Sequence, residues 1–205
     1  MAAVQQQLAL LWGLLGGDKA LCGPRRVTFY VTRRDRELLV EDSPLFRRLR
    51  AELFNVQILS DDSETYRRFV QGRLLTGEQA SLVEAFIGFC HTNLAHGQPQ
   101  RFPLDEVARA FHTHPGLVLA LIRAFELRFD PDRETAGPSA GGALEEAARE
   151  IEEYNTGHRQ LDEFRRAVYR AALALVRRTL KTNYFVAEKQ ALAFRIDPAY
   201  LDDLG

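Results

Sequence analysis

Cys90, His91, His96, His112 and His114 form the densest run of metal-compatible side chains in the sequence, and zinc is the chemistry they suggest first. Their spacing argues against it. Zinc sites favour cysteines two to four residues apart or histidines at i, i+4 on one helix, whereas here His91 would have to meet His112 or His114 from a second helix. His91, His96, His112 and His114 are expected instead at helix ends and capping turns. The glycines of TAGPSAGG (135–142) lack both the Lys-Ser/Thr of a phosphate-binding loop and the strand-linked G-x-G-x-x-G of a dinucleotide site, so they read as a linker. In EEAAREIEE (145–153), Glu145, Glu146, Glu150, Glu152 and Glu153 alternate with Ala147, Ala148 and Arg149 as a solvated helix face does, and no acid–base pair stands out. No G-x-S-x-G elbow or locally supported Cys-His pair offers a nucleophile.

The elements that would position any such chemistry are mostly helices. From Gly77 onward GEQASLVEAFIGFCHTNLAH, LDEVARAFHTH and PGLVLALIRAFELRF follow one another, broken at Pro99, Pro103 and Pro115. DPDRETAGPSAGG (130–142) reads as a mobile linker between two helical groups. Beyond it, LDEFRRAVYRAALALVRRTLK sets Leu161, Phe164, Val168, Ala171, Leu175 and Thr179 on one buried stripe, with Arg166, Arg170, Arg177 and Lys181 left in water. Thr182-Asn183 closes this helix. Tyr184–Val186 and Ala191–Ile196 then alternate like two short strands, stopped by Asp197-Pro198. Nearer the start, a helix is expected from Ala2 to Leu15. A βαβ-like run follows, with strands VTFYVT (27–32) and NVQIL (55–59) around the helix SPLFRRLRAELF (43–54). The expected fold is therefore mainly α, a helical bundle-like scaffold with a small βαβ-like N-terminal part and a C-terminal β-hairpin. Its expected divisions are 1–75, 76–182 and 183–205.

With 205 residues there is ample chain for a buried core, and 27 Lys plus Arg against 28 Asp plus Glu leave a net charge of -1. That balance, together with basic clusters that sit on amphipathic helices at Arg47–Arg50, Arg165-Arg166 and Arg177-Arg178, points away from nucleic acid. LALLWGLLGG is too short to span a bilayer, so no membrane partner is expected. The two cysteines, Cys22 and Cys90, and the absence of an Asn-x-Ser/Thr acceptor fit a reducing cytoplasm.

Three stretches taken together resemble the large NAD-specific glutamate dehydrogenases: LAHGQPQRFPLDEVARAFHTHPGLVLALIRAFELRFDP (94–131), YNTGHRQLDEFRRAVYRAALALVRRTLKTN (154–183) and LKTNYFVAEKQALAFRIDPAYL (180–201). The likeness runs over residues 78–205 and is strongest where KTNYF leads into AFRIDP, which is similar to the entrance of that family's catalytic domain. The resemblance implies oxidative deamination of glutamate to 2-oxoglutarate and ammonia, with hydride passing to NAD as the cofactor of the full-length family. It also implies that the family's catalytic lysine, its Arg-Trp substrate segment and its dinucleotide fingerprint lie past the stretch represented here. No catalytic, cofactor-binding or metal-ligating residue is accordingly assigned. Position alone would make residues 1–75 part of an ACT-like regulatory region. Expected partners are the remainder of the same polypeptide or identical subunits in a homo-oligomer. The alternative is a free-standing helical interaction module. If the tail belongs to a larger sheet, Phe185, Leu192, Phe194 and Ile196 should be less buried than their alternation warrants.

Overall fold

A computed structural model of the chain describes residues 19–23, 26–30, 64–71, 74–132, 138–186, 189 and 191–204. The fold is mainly α, and the chain divides into two units, Met1–Ala80 and Ser81–Gly205. In the first, β1 (Lys19–Gly23) and β2 (Arg26–Tyr30) form an antiparallel hairpin with Lys19 opposite Tyr30 and Gly23 opposite Arg26. The strand expected at 27–32 is thus present as β2. Its partner is the preceding segment, Lys19–Gly23, and not the strand expected at 55–59. The helices expected at 2–15 and 43–54 and the strand at 55–59 lie outside the described residues. A π-helical turn, Tyr66–Gln71, follows.

The helix α1 (Gly77–Gly97) begins at a reciprocal cap, in which the Thr76 hydroxyl accepts from the Gln79 amide and the Gln79 side chain accepts from the Thr76 amide. Then come α2 (Leu104–Thr113) and α3 (Pro115–Phe129), divided at His114, where Pro115 occupies the first helical turn and has no N–H to strand. Helix α4 (Ala140–Glu153) starts from the Ser139 hydroxyl, which accepts the Gly142 amide at 2.9 Å. Residues 140–142 are therefore the first turn of a helix, a correction to the linker expected through Gly142. The serine cap outweighs the low helix propensity of the two glycines. Helix α5 (Arg159–Arg178) is followed directly by β3 (Thr179–Thr182), β4 (Phe194–Ile196) and the short α6 (Tyr200–Leu204).

In the second unit α5 is the central element, with α2, α3, α4 and α6 all packed on it. Its expected stripe holds at Val168, Ala171, Leu175 and Thr179, but Ala172, Leu173, Ala174 and Val176 are buried as well. A helix buried on every side from Ala171 to Val176, more than a full turn, sits in the middle of its bundle, and its alanines let the neighbours approach closely. Leu161, at the N-terminal end of the stripe, is exposed. Around α5 the other helices present narrower faces: Val107, Ala110 and Phe111 from α2, and Ala143, Ala147 and Ile151 from α4. Phe86, Phe111, Phe125 and Tyr169 are fully buried and meet edge to face or tilted at 5.8–6.4 Å between Phe86 and Phe111, Phe86 and Phe125, and Phe111 and Tyr169. Each such ring contributes about 1.5–3 kcal/mol by burial, which makes this aromatic cluster the main apolar anchor of the unit.

The end of the chain differs from expectation. Helix α5 stops at Arg178, not at Thr182-Asn183, and the first strand is Thr179–Thr182, while Tyr184–Val186 form a turn. Arg178 is followed by Thr179, whose hydroxyl donates to the Leu175 carbonyl at 2.7 Å while Arg128 donates to the Thr179 carbonyl at 3.2 Å. These bonds hold the chain where it leaves the helix. Pairing is antiparallel, with Thr179 opposite Ile196 and Thr182 opposite Phe194, and an irregularity between Thr179 and Lys181. Asn183 closes the loop by donating to the Ala191 carbonyl at 2.8 Å and accepting from the Ala193 amide at 2.7 Å.

Candidate functional site

The histidines and cysteine do not converge. Cys90 lies fully buried on α1 with its thiol donating to the Val168 carbonyl of α5, and burial pushes that thiol far above its ordinary range, so it is no thiolate. His91 sits within α1 and not at its end, with Nδ1 3.0 Å from the Phe102 carbonyl, where it ties the helix to the turn before α2. His96 is exposed in the last turn of α1, and His112 lies in the last turn of α2. His114 is the residue between α2 and α3, as a capping position requires. Among the described residues, no group of three or more His, Cys, Asp or Glu is placed to hold a metal ion.

Polar side chains converge instead where the α2–α3 elbow, the end of α4 and the start of α5 meet. Tyr154 caps the C-terminus of α4 and is nearly buried, and its hydroxyl lies 2.5 Å from His114 Nε2. Arg165, on α5, reaches both, at 2.9 Å from His114 Nε2 and 2.9 Å from the Tyr154 hydroxyl, while Arg166 donates to the Tyr154 carbonyl at 3.1 Å. The rings of His114 and Tyr154 meet edge to face at 4.8 Å, and Tyr154 meets Tyr169 at 5.8 Å. The cluster thus stands on the aromatic core. Below it, Asp162 is buried at 2% exposure and fastens the loop between α4 and α5, accepting from the Thr156 amide at 2.9 Å and from the Thr156 hydroxyl at 2.6 Å. The Thr156 hydroxyl holds its carboxyl below the usual carboxylate range. Gly157, at φ +86°, makes the bend that a residue with a Cβ would strain to adopt.

Protonation can be assigned from geometry. An arginine nitrogen can only donate, so its approach to Nε2 requires a lone pair there, and His114 is neutral with its proton on Nδ1. Desolvation, and then the charge of Arg165, lower its pKa from the ordinary 6.5. Because its lone pair is occupied by the Tyr154 and Arg165 donors, His114 is not a free base, and the cluster is a clamp before it is a catalytic centre.

Two grooves open on this unit, and the smaller is lined by the clamp's own residues. The larger, about 830 Å³, is open to solvent and is bounded by Arg101, Pro103, Glu106, His158, Arg159 and Phe164. The smaller, about 410 Å³, is lined by His114 and Tyr154 together with Glu150 and Glu153. The basic and acidic clusters read from sequence are spent partly on such joints: Arg170 pairs with Glu152 between α5 and α4, and Arg178 pairs with Asp203 of α6 at 2.6 and 2.9 Å. No sequence motif could have revealed the clamp, because its partners lie 40 and 51 residues apart. The one local signal was the polar YNTGH run between two helices.

Fold and site together define a mainly helical module with a polar clamp and open grooves. Among the described residues both sheets are antiparallel pairs of strands, and none of the parallel strand-to-helix turns of a doubly wound dinucleotide fold is present among them. No helix among them is long and apolar enough to cross a membrane.

Among known proteins, an NAD-specific glutamate dehydrogenase of Halomonas elongata is 25% identical over 148 residues, which make up 70% of this chain and 8% of that relative. The likeness carries a distant relationship at most, and the chain spans less than a tenth of the relative's length. No family model matches the chain, and no solved structure does.

Proposed function

We propose that this chain is a non-catalytic scaffold or regulatory region of an NAD-dependent glutamate dehydrogenase, in which the catalytic chemistry resides elsewhere in the polypeptide. The single observation that supports this is the 148-residue similarity to such an enzyme, which covers most of this chain. Residues 76–182 are then the scaffold, 183–205 lead toward the catalytic part, and 1–75 form a small α/β regulatory region. NAD serves the whole enzyme and is not held here. An occupied Nε2 lone pair at His114 and a protonated, buried Cys90 fit a support better than a proton-transfer centre. Its natural partners on this reading are the rest of the same polypeptide or identical subunits in a homo-oligomer.

The test has two arms. The purified chain is mixed with glutamate and NAD while absorbance of NADH is followed, and no turnover is expected; turnover above background overturns the non-catalytic assignment. The rest of the polypeptide, produced without this region, is then melted with and without this chain added. A rise in its Tm supports the scaffold role, whereas an unchanged Tm and no co-elution favour a free-standing interaction module.

A further inference from the structure

The clamp at His114 joins three neighbouring elements through one imidazole nitrogen: the α2–α3 elbow that carries His114, the end of α4 capped by Tyr154, and α5 through Arg165. Both neighbours of Nε2 act there as donors, and the arrangement needs the neutral ring. A proton on Nε2 would place an N–H against an arginine nitrogen 2.9 Å away and would remove the acceptor used by the Tyr154 hydroxyl. Unlike most exposed histidines, this one cannot be charged without breaking its own contacts.

We propose that His114 is an acid-sensitive latch, in which protonation expels the imidazole from Arg165 and Tyr154 and uncouples the end of α4 from the α2–α3 elbow and α5. A second resting place for the charged ring is at hand. Glu150 and Glu153 of α4 line the same groove as His114, so an imidazolium leaving the guanidinium meets carboxylates. The charges facing His114 pull in both directions: from α5, Arg165 disfavours the cation and Asp162 favours it. Arg166 holds the backbone of Tyr154, and on the α2 side Thr113 bonds the carbonyls of Arg109 and Ala110 and takes no part in the charge balance. Asp162 is committed to Thr156, so it does not move with the ring.

The sign follows from the lowered pKa. The unfolded chain binds a proton at 6.5, but the closed clamp binds it only at lower pH. The contribution of the clamp is therefore complete above pH 6.5 and is lost as pH falls through the folded value. The Nδ1–H tautomer and Tyr154 release are local, so the rest of the helical unit should remain folded while the α4 end opens.

This latch is independent of the proposed enzyme context, and its test uses no glutamate or NAD. NMR titration of the His114 ring in the intact chain should give a midpoint below 6.5. Amide hydrogen exchange corrected for intrinsic chemistry should show protection of residues 150–158 falling about tenfold between pH 7.5 and pH 5, with helical circular dichroism unchanged. His114→Gln retains an acceptor for Tyr154 and Arg165 and should abolish that pH dependence, while His158→Gln, at an exposed histidine nearby, should preserve it. A His114 midpoint at or above 6.5 overturns the latch, as does loss of protection, local or global, that persists with the same midpoint in His114→Gln.

Discussion

Phe111, Phe125 and Tyr169 are fully withdrawn from solvent in the helical bundle, whereas Phe185, Val186 and Leu201 of the C-terminal hairpin and its short helix remain exposed. The two regions use different physics. In the bundle, helices close around α5 with aromatic rings in mutual contact, and polar atoms inside find partners there, as when the Tyr169 hydroxyl donates to the Ala110 carbonyl at 2.6 Å. In the hairpin, Leu192, Phe194 and Ile196 are only partly covered, less than their apolar alternation by itself warrants. Polar fasteners do the holding there: Asn183 across the loop, Arg178 on Asp203, the Tyr184 hydroxyl on Glu126, and the Tyr200 hydroxyl on Asn93. Phe125 connects the two regions, since its ring meets Tyr184 at 5.4 Å and Phe194 at 5.9 Å. Apolar burial makes a region cooperative, while a few exposed hydrogen bonds let a region open by itself.

Substitutions in the two regions should therefore differ in kind. Phe111→Ala empties a fully enclosed site between Phe86 and Tyr169 and should cost about 3–5 kcal/mol in urea or thermal unfolding, with the hairpin lost in the same transition. A hairpin that stayed protected in this variant would show that it does not depend on the bundle. Tyr169→Phe leaves the ring in place but removes its hydroxyl's bond to the Ala110 carbonyl, which keeps the longer Thr113 contact at 3.3 Å, and a loss of about 0.5–1.5 kcal/mol is expected with the same cooperativity. Asn183→Ala should leave the global midpoint within about 0.5 kcal/mol, yet raise amide exchange in 179–196 selectively. A global loss as large as that of Tyr169→Phe would erase the distinction between the regions.

Much of the bundle was legible in the sequence because helical periodicity is a local property. Apolar spacings of three and four residues mark the faces of α2, α3 and α4, and Pro115 marks where α3 begins, all within a few residues of one another. The neutral charge balance and the scattered ligands likewise follow from residue types alone. Other features depended on distant partners. Thr179–Thr182 reads as the tail of a helix until β4 supplies its pairing and Arg128 its carbonyl bond, because an amphipathic segment at a helix end suits either state. Asp162 resembles any first-turn carboxylate until Thr156 folds back on it, and His114 resembles an ordinary cap until Tyr154 and Arg165 arrive from two other elements. The sequence by itself determined which segments become helices and which of their faces turn inward. Tertiary structure alone decided which helix lies at the centre, where the last strand begins, and which histidine loses its freedom to bind a proton, because burial and hydrogen bonding between residues tens of positions apart leave no periodic trace along the chain.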